Sequence, residues 1–201
     1  MKKLPFDKVY CLHCIEHEER FEHIKAEFEK VGILNEVEFR TTCLHPKLNL
    51  ISDGNKLRKL NTENEYHCAR EHYTMIKIAY LSGCQNVLIF EDDIHFTNPD
   101  LFLEYANNLP KDYDILMFGY LLFGKNGLVY LKGDDRWCKT KLATWGTFAY
   151  ALSRSGMEKY LKRLEEEYCV ADMPLADSRN AIKYLPNVKL IEHGGFNSSI
   201  R

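Results

Sequence analysis

Apolar residues fall along this chain in alternating rhythms. Val9-Tyr10-Cys11-Leu12 is a short apolar run that reads as a first strand. Over residues 16–31 the side chains of Phe21, Ile24, Phe28 and Val31 then recur at helical spacing on one face. Gly32 follows as a C-cap able to take positive φ. Residues 37–39 read as a second, short strand. The polar stretch 45–61, with Pro46, Gly54, Lys56, Arg58 and Lys59, reads as a loop. The spacing predicts a second helix over 63–81, with Ala69, Tyr73, Ile76 and Tyr80 inward and Gly83 closing it. Val87-Leu88-Ile89-Phe90 is a wholly apolar strand that runs directly into Glu91-Asp92-Asp93.

Asn98-Pro99 reads as the cap and first-turn proline of another helix. Strands are expected over 114–118 and 147–152, a hairpin arm over 128–131, and a helix over 153–164 with Met157, Tyr160, Leu161 and Leu164 inward. Strands alternating with helices point to an α/β fold with a mainly parallel sheet flanked by helices. Ligands of such sheets gather beyond the carboxyl ends of the strands. Glu91, Asp92 and Asp93 fall there.

The length of 201 residues suits a single domain over 1–201 and would be cramped as two. A net charge of −2 argues against nucleic acid as the partner. The seven cysteines are odd in number and scattered, and Met1-Lys2-Lys3 leads within a few residues to Asp7 and Lys8. Reduced thiols in a cytoplasmic protein are the simplest reading. No apolar run approaches the roughly 20 residues of a membrane-spanning helix. The expectation is a soluble chain, at most peripheral to the inner face of a membrane.

Three consecutive carboxylates after an apolar strand repel one another unless solvated or neutralised by a cation. Hard divalent ions take oxygen ligands, and Mg²⁺ or Mn²⁺ binds one or two carboxylates together with substrate phosphate. In an extended segment Glu91 and Asp93 share a face and Asp92 points the other way. Asp93, assisted by Glu91 or Asp92, is therefore the expected ligand pair. The tripeptide alone is also compatible with a solvated acidic turn. Gly133-Asp134-Asp135 is a rival cluster that reads as a hairpin tip with Lys132 and Arg136 as counterions.

In its wider context the triplet resembles the signature of glycosyltransferase family 25, which includes lipooligosaccharide galactosyltransferases and collagen galactosyltransferase domains. The matching residues run in the family's order. They are Glu19-Arg20 after the first strand, His72 on a helix, the segment from Gly83 to Asp93, the segment from Trp145 to Gly156, Val170-Ala171-Asp172, and Ser198-Ser199-Ile200. The chain departs from the pattern where His13, Cys14 and Ile15 follow the first strand, at His67 and Glu71 near His72, and at Thr41-Thr42-Cys43.

The resemblance implies a GT-A-like fold, a nucleotide-sugar donor such as a UDP-hexose, a glycan acceptor and inversion at the anomeric carbon. Glu91, Asp92 and Asp93, with His72, would then serve the metal and diphosphate. Inversion needs a base to take the acceptor proton; Asp172 matches the family's later aspartate and Asp177 is the second candidate. Two other functions share these residues: a metal-dependent nucleotidyltransferase or phosphohydrolase, and a sugar-nucleotide- or glycan-binding module without catalysis. Other constellations have bland readings. Cys11-x-x-Cys14 with His13 and His17 lacks the second pair of a structural zinc site, and His67, Cys68 and His72 fit an ordinary helix with mixed surface and core faces. Arg154 reads as structural.

Overall fold

The computed structural model describes residues 3–42, 63–122, 136–166, 169–176 and 180–196. In chain order the elements are β1 (Lys8–Cys14), α1 (Glu18–Val31), β2 (Val37–Thr42), α2 (Glu63–Leu81), β3 (Asn86–Glu91), β4 (Ile94–Phe96), α3 (Pro99–Ala106), β5 (Ile115–Leu121), β6 (Trp137–Thr140), β7 (Trp145–Ser153), α4 (Arg154–Glu166), α5 (Met173–Ala176), β8 (Lys183–Pro186) and β9 (Ile191–His193).

Alternation along the strands divides the interior into two cores. Val9 and Cys11 of β1, Leu88 and Phe90 of β3, Leu116 and Phe118 of β5, and Ala149 and Ala151 of β7 face one side. There Ile24 and Phe28 of α1 and Phe102 and Tyr105 of α3 cover them. The intervening residues, Tyr10, Val87, Ile89, Ile115, Met117, Tyr150 and Leu152 among them, face the other side. Met75 and Ile76 of α2 and Met157, Tyr160 and Leu161 of α4 cover that face. Each large apolar side chain buried this way contributes about 1.5–3 kcal/mol, so the two faces together hold the three-layer arrangement.

Seven strands stand in the order β2-β1-β3-β7-β5-β8-β6. Pairing is parallel for β1 with β2, β1 with β3 and β5 with β8, and antiparallel for β3 with β7, β5 with β7 and β6 with β8. Five of the seven thus point one way, and the sheet is mainly parallel. A separate two-stranded sheet pairs β4 with β9, with Ile94 opposite His193.

Local chemistry sets the element ends. Gly32 takes φ 76° as the C-cap of α1, and its N–H donates to the Glu29 carbonyl at 2.9 Å. The Asn98 side chain accepts from the Leu101 N–H at 3.0 Å ahead of Pro99. Arg154 donates to the carbonyls of Tyr80 and Cys84, 3.1 Å each, and so closes the end of α2. The expected helix at 16–31 starts at Glu18, because His17 has φ −112° and ψ 64°. β5 and β7 extend beyond their expected limits, and the short strands β4, β6, β8 and β9 were not anticipated. The loop at 45–61 and the hairpin arm at 128–131 lie outside the described residues.

Candidate active site

Glu91 closes β3 and continues the parity of Val87 and Ile89, so it faces α2. Its Oε1 accepts from the Thr147 hydroxyl and lies 3.0 Å from His72 Nε2. His72 is fully buried, and its Nδ1 lies 2.8 Å from the Tyr150 hydroxyl. Cys68 precedes His72 by one helical turn. Its Sγ, a His72 ring nitrogen and a Glu91 carboxylate oxygen all fall within 4.8 Å of one another.

Asp172 joins this group from the loop before α5. Its Oδ2 accepts the Gly146 N–H at 3.3 Å. Glu91 and Asp172 are thereby anchored on consecutive residues of β7, Thr147 and Gly146. Because β7 runs against β3, these residues lie beyond the carboxyl end of β3. Gly146 has φ 100°, a conformation that suits glycine. Burial pushes the Asp172 carboxyl above its ordinary value, the Gly146 N–H opposes that, and the Glu91 charge adds to it. Burial likewise pushes the Cys68 thiol up, with Glu91, Asp172 and Asp93 contributing.

Lys183 holds the frame around Asp172. Its buried ammonium donates to the Leu142 carbonyl at 2.6 Å, to Thr144 Oγ1 at 3.1 Å and to the Leu175 carbonyl at 3.1 Å. One side chain therefore ties the approach to β7 to the helix that follows Asp172.

Asp92 continues the parity of Leu88 and Phe90 and faces α1. Its Oδ2 lies 2.8 Å from His13 Nδ1 and accepts the Cys14 N–H at 3.1 Å, while Oδ1 accepts from Arg20 at 3.3 Å. The His13 ring stacks on Phe21 with centroids 4.7 Å apart. Asp93 does not return to the face of Glu91. The chain turns at residues 92–93, and Asp93 Oδ2 meets His193 Nε2 at 2.9 Å and Arg20 at 3.6 Å. The bond to Asp93 raises the His193 imidazole above its ordinary value. Asp93 Oδ1 is buried with no hydrogen-bond partner.

The structure thus brings His72, Glu91 and Asp172 into one cluster and sets Asp92 and Asp93 beside Arg20. Asp177, Ser198, Ser199, Ile200, Asp134 and Asp135 lie outside the described residues. His193, Thr147 and Tyr150 were not singled out as site residues from the sequence. Thr147 and Tyr150 carried a signal, since both lie in the motif from Trp145 to Gly156. His193 carried none. His13, a departure from the family pattern, turns out to hold Asp92.

The hard-ion donors can be tested against this geometry. Asp92 is occupied by protein donors at both oxygens. Asp93 Oδ1 has none, and Glu91 takes both of its hydrogen bonds on Oε1. Glu91 and Asp93 each thus keep one carboxylate oxygen open to a divalent ion, which binds one or two protein carboxylates beside a diphosphate.

No protein-family model matches the chain, and comparison with curated proteins gives no match. Among solved structures the chain is similar to A197 from STIV, with a TM-score of 0.52 and 12% identity over 95% of this chain and 86% of that one. It is also similar to a glycosyltransferase involved in glycosylation of the major capsid of PBCV-1, with a TM-score of 0.47 and 11% identity over 95% and 94%. A third similarity is to a Drosophila beta-1,4-galactosyltransferase 7 variant in complex with manganese, UDP-Gal and xylobiose, with a TM-score of 0.41 and 10% identity over 94% and 71%. The likeness to the STIV protein is one of fold: an α/β domain with helices on both faces of a mainly parallel sheet.

Proposed function

We propose that this chain is a nucleotide-sugar-dependent glycosyltransferase of GT-A type, moving a hexose, galactose or glucose, from a UDP-sugar to a surface-glycan or lipooligosaccharide acceptor with inversion. The observation that carries this reading is the anchoring of Glu91 and Asp172 on adjacent residues of β7, beyond the carboxyl end of β3. The ordered motifs that resemble glycosyltransferase family 25 supply the reaction class, and these two residues belong to them.

Glu91 and Asp93 would hold a divalent ion, Mn²⁺ or Mg²⁺, which would offset charge on the departing diphosphate. His72 and Thr147 orient Glu91, and Arg20 and His193 orient Asp93. The Asp172 carboxylate, steadied by the Gly146 N–H, accepts the proton of the acceptor hydroxyl as that oxygen forms the new glycosidic bond. Burial makes Asp172 more basic than an ordinary aspartate, which favours this role. Asp177 is the second candidate for the same task.

Incubation with a panel of nucleotide sugars, with Mn²⁺ or with chelator, tests the reading. UDP-galactose or UDP-glucose is expected to bind more tightly with Mn²⁺ and to be consumed only with an acceptor. Donor cleavage without acceptor would indicate a phosphohydrolase. Binding without turnover would indicate a module that only recognises the ligand. Metal-independent binding, or none for any nucleotide sugar, overturns the proposal.

A further inference from the structure

We infer that Cys68, His72 and Glu91 form a site for a borderline metal ion of the zinc class, with an open fourth position. Cys68 and His72 are four residues apart on α2, the spacing that turns two side chains to one helix face. Glu91 meets them from the end of β3. The three donor atoms lie within 4.8 Å of one another. Bonds of about 2.0–2.3 Å in a tetrahedron place ligand atoms roughly 3.3–3.8 Å apart. Side-chain adjustments of about 1 Å therefore close the site around an ion.

The surroundings match a built centre. A histidine that binds metal with one nitrogen commonly engages an oxygen through the other, which fixes its tautomer. His72 has this arrangement: Nδ1 faces the Tyr150 hydroxyl at 2.8 Å and Nε2 faces Glu91 at 3.0 Å. The Thr147 hydroxyl orients the Glu91 carboxylate in the same way. His72 is wholly buried, and the Glu91 side chain is only 18% exposed, so an ion here would be shielded from bulk water. Thiolate with imidazole and carboxylate suits Zn²⁺ or Co²⁺, and is a poor set for Mg²⁺, which prefers oxygen alone. Three protein ligands with one position left over is the pattern of ions that meet a substrate or water.

The zinc-class site shares Glu91 with the transferase site but takes Cys68 and His72 in place of Asp93, and it needs no nucleotide. Its test is spectroscopic. The full chain, stripped with chelator and titrated with Co²⁺, is expected to bind one equivalent with thiolate-to-cobalt absorption in the near ultraviolet. Zn²⁺ should abolish the band and excess Mg²⁺ should not. Cys68→Ser should remove the band, whereas Cys84→Ser should keep it. Tyr150→Phe keeps all three ligands and is expected to weaken Co²⁺ binding about 10–100-fold through the lost partner of His72. Far-ultraviolet circular dichroism checks that each variant folds, and Tyr150→Phe serves if Cys68→Ser does not. Absence of the band, its survival in Cys68→Ser, displacement by Mg²⁺, or unchanged affinity in Tyr150→Phe overturns the inference.

Discussion

Gly156 sits in the first turn of α4 directly over the start of β5. A Cβ built there would come within 2.0 Å of the Asp114 carbonyl oxygen, which is backbone and cannot swing aside. Gly156→Ala is expected to destabilise the fold by about 1–3 kcal/mol, the usual cost of overpacking. Denaturant unfolding should show a lower midpoint with an unchanged slope. A functional prediction belongs to Asp172, since asparagine can still accept the Gly146 N–H through its amide oxygen but is no proton acceptor. Asp172→Asn should keep nucleotide-sugar affinity by calorimetry and lose about 10²–10⁴-fold in transfer rate. Lost donor affinity would place Asp172 in the donor site, and normal turnover would move the role to another carboxylate. At this scale strand alternation already separates Glu91 from Asp92 in the sequence. It misplaces Asp93, because the period of two ends where the chain turns. His193 reaches Asp93 from 100 residues away, a distance no local pattern spans.

Asp114 shows how elements are joined. Its Oδ2 accepts from Lys159 of α4 at 2.6 Å and from the Ile182 N–H, just before β8, at 2.7 Å. Burial alone would raise its carboxyl, but Lys159, the Ile182 N–H and Ser155 outweigh burial and hold it below the ordinary value. A depressed folded pKa stabilises the protein above the unfolded value of about 3.9 and ceases to do so as pH falls through the folded value. Asp114→Asn should therefore lower stability at neutral pH and flatten the loss of stability below about pH 4, as read from denaturant titrations at several pH values. The longer elements were legible because each repeats its period several times: α2 occupies the expected 63–81, and β3 encloses the expected 87–90. The strands of three or four residues were not, since so short a run has no measurable period. β8 even carries Lys183 and Pro186, residues that argue against a strand until the oxygens around the Lys183 ammonium are seen. Nor could the sequence show that β7 runs against its neighbours.

Taken whole, the described residues contain no helix long and apolar enough to cross a membrane. In their seven-stranded sheet β7 alone connects the β2-β1-β3 group to the β5-β8-β6 group. A chain cut after residue 142 lacks that link. It should be insoluble, or show little protection of β5 amides in hydrogen exchange, and a protected β5 would contradict the link. The same order has a consequence during translation. β5 emerges from the ribosome before either of its sheet partners, β7 and β8, has been made. At about 5–20 residues per second, an apolar segment with both edges unpaired waits on the order of seconds for them. Exposed strand edges recruit other strands, so the nascent chain is most vulnerable in mid-synthesis, when a chaperone covering residues 115–121 would protect it most.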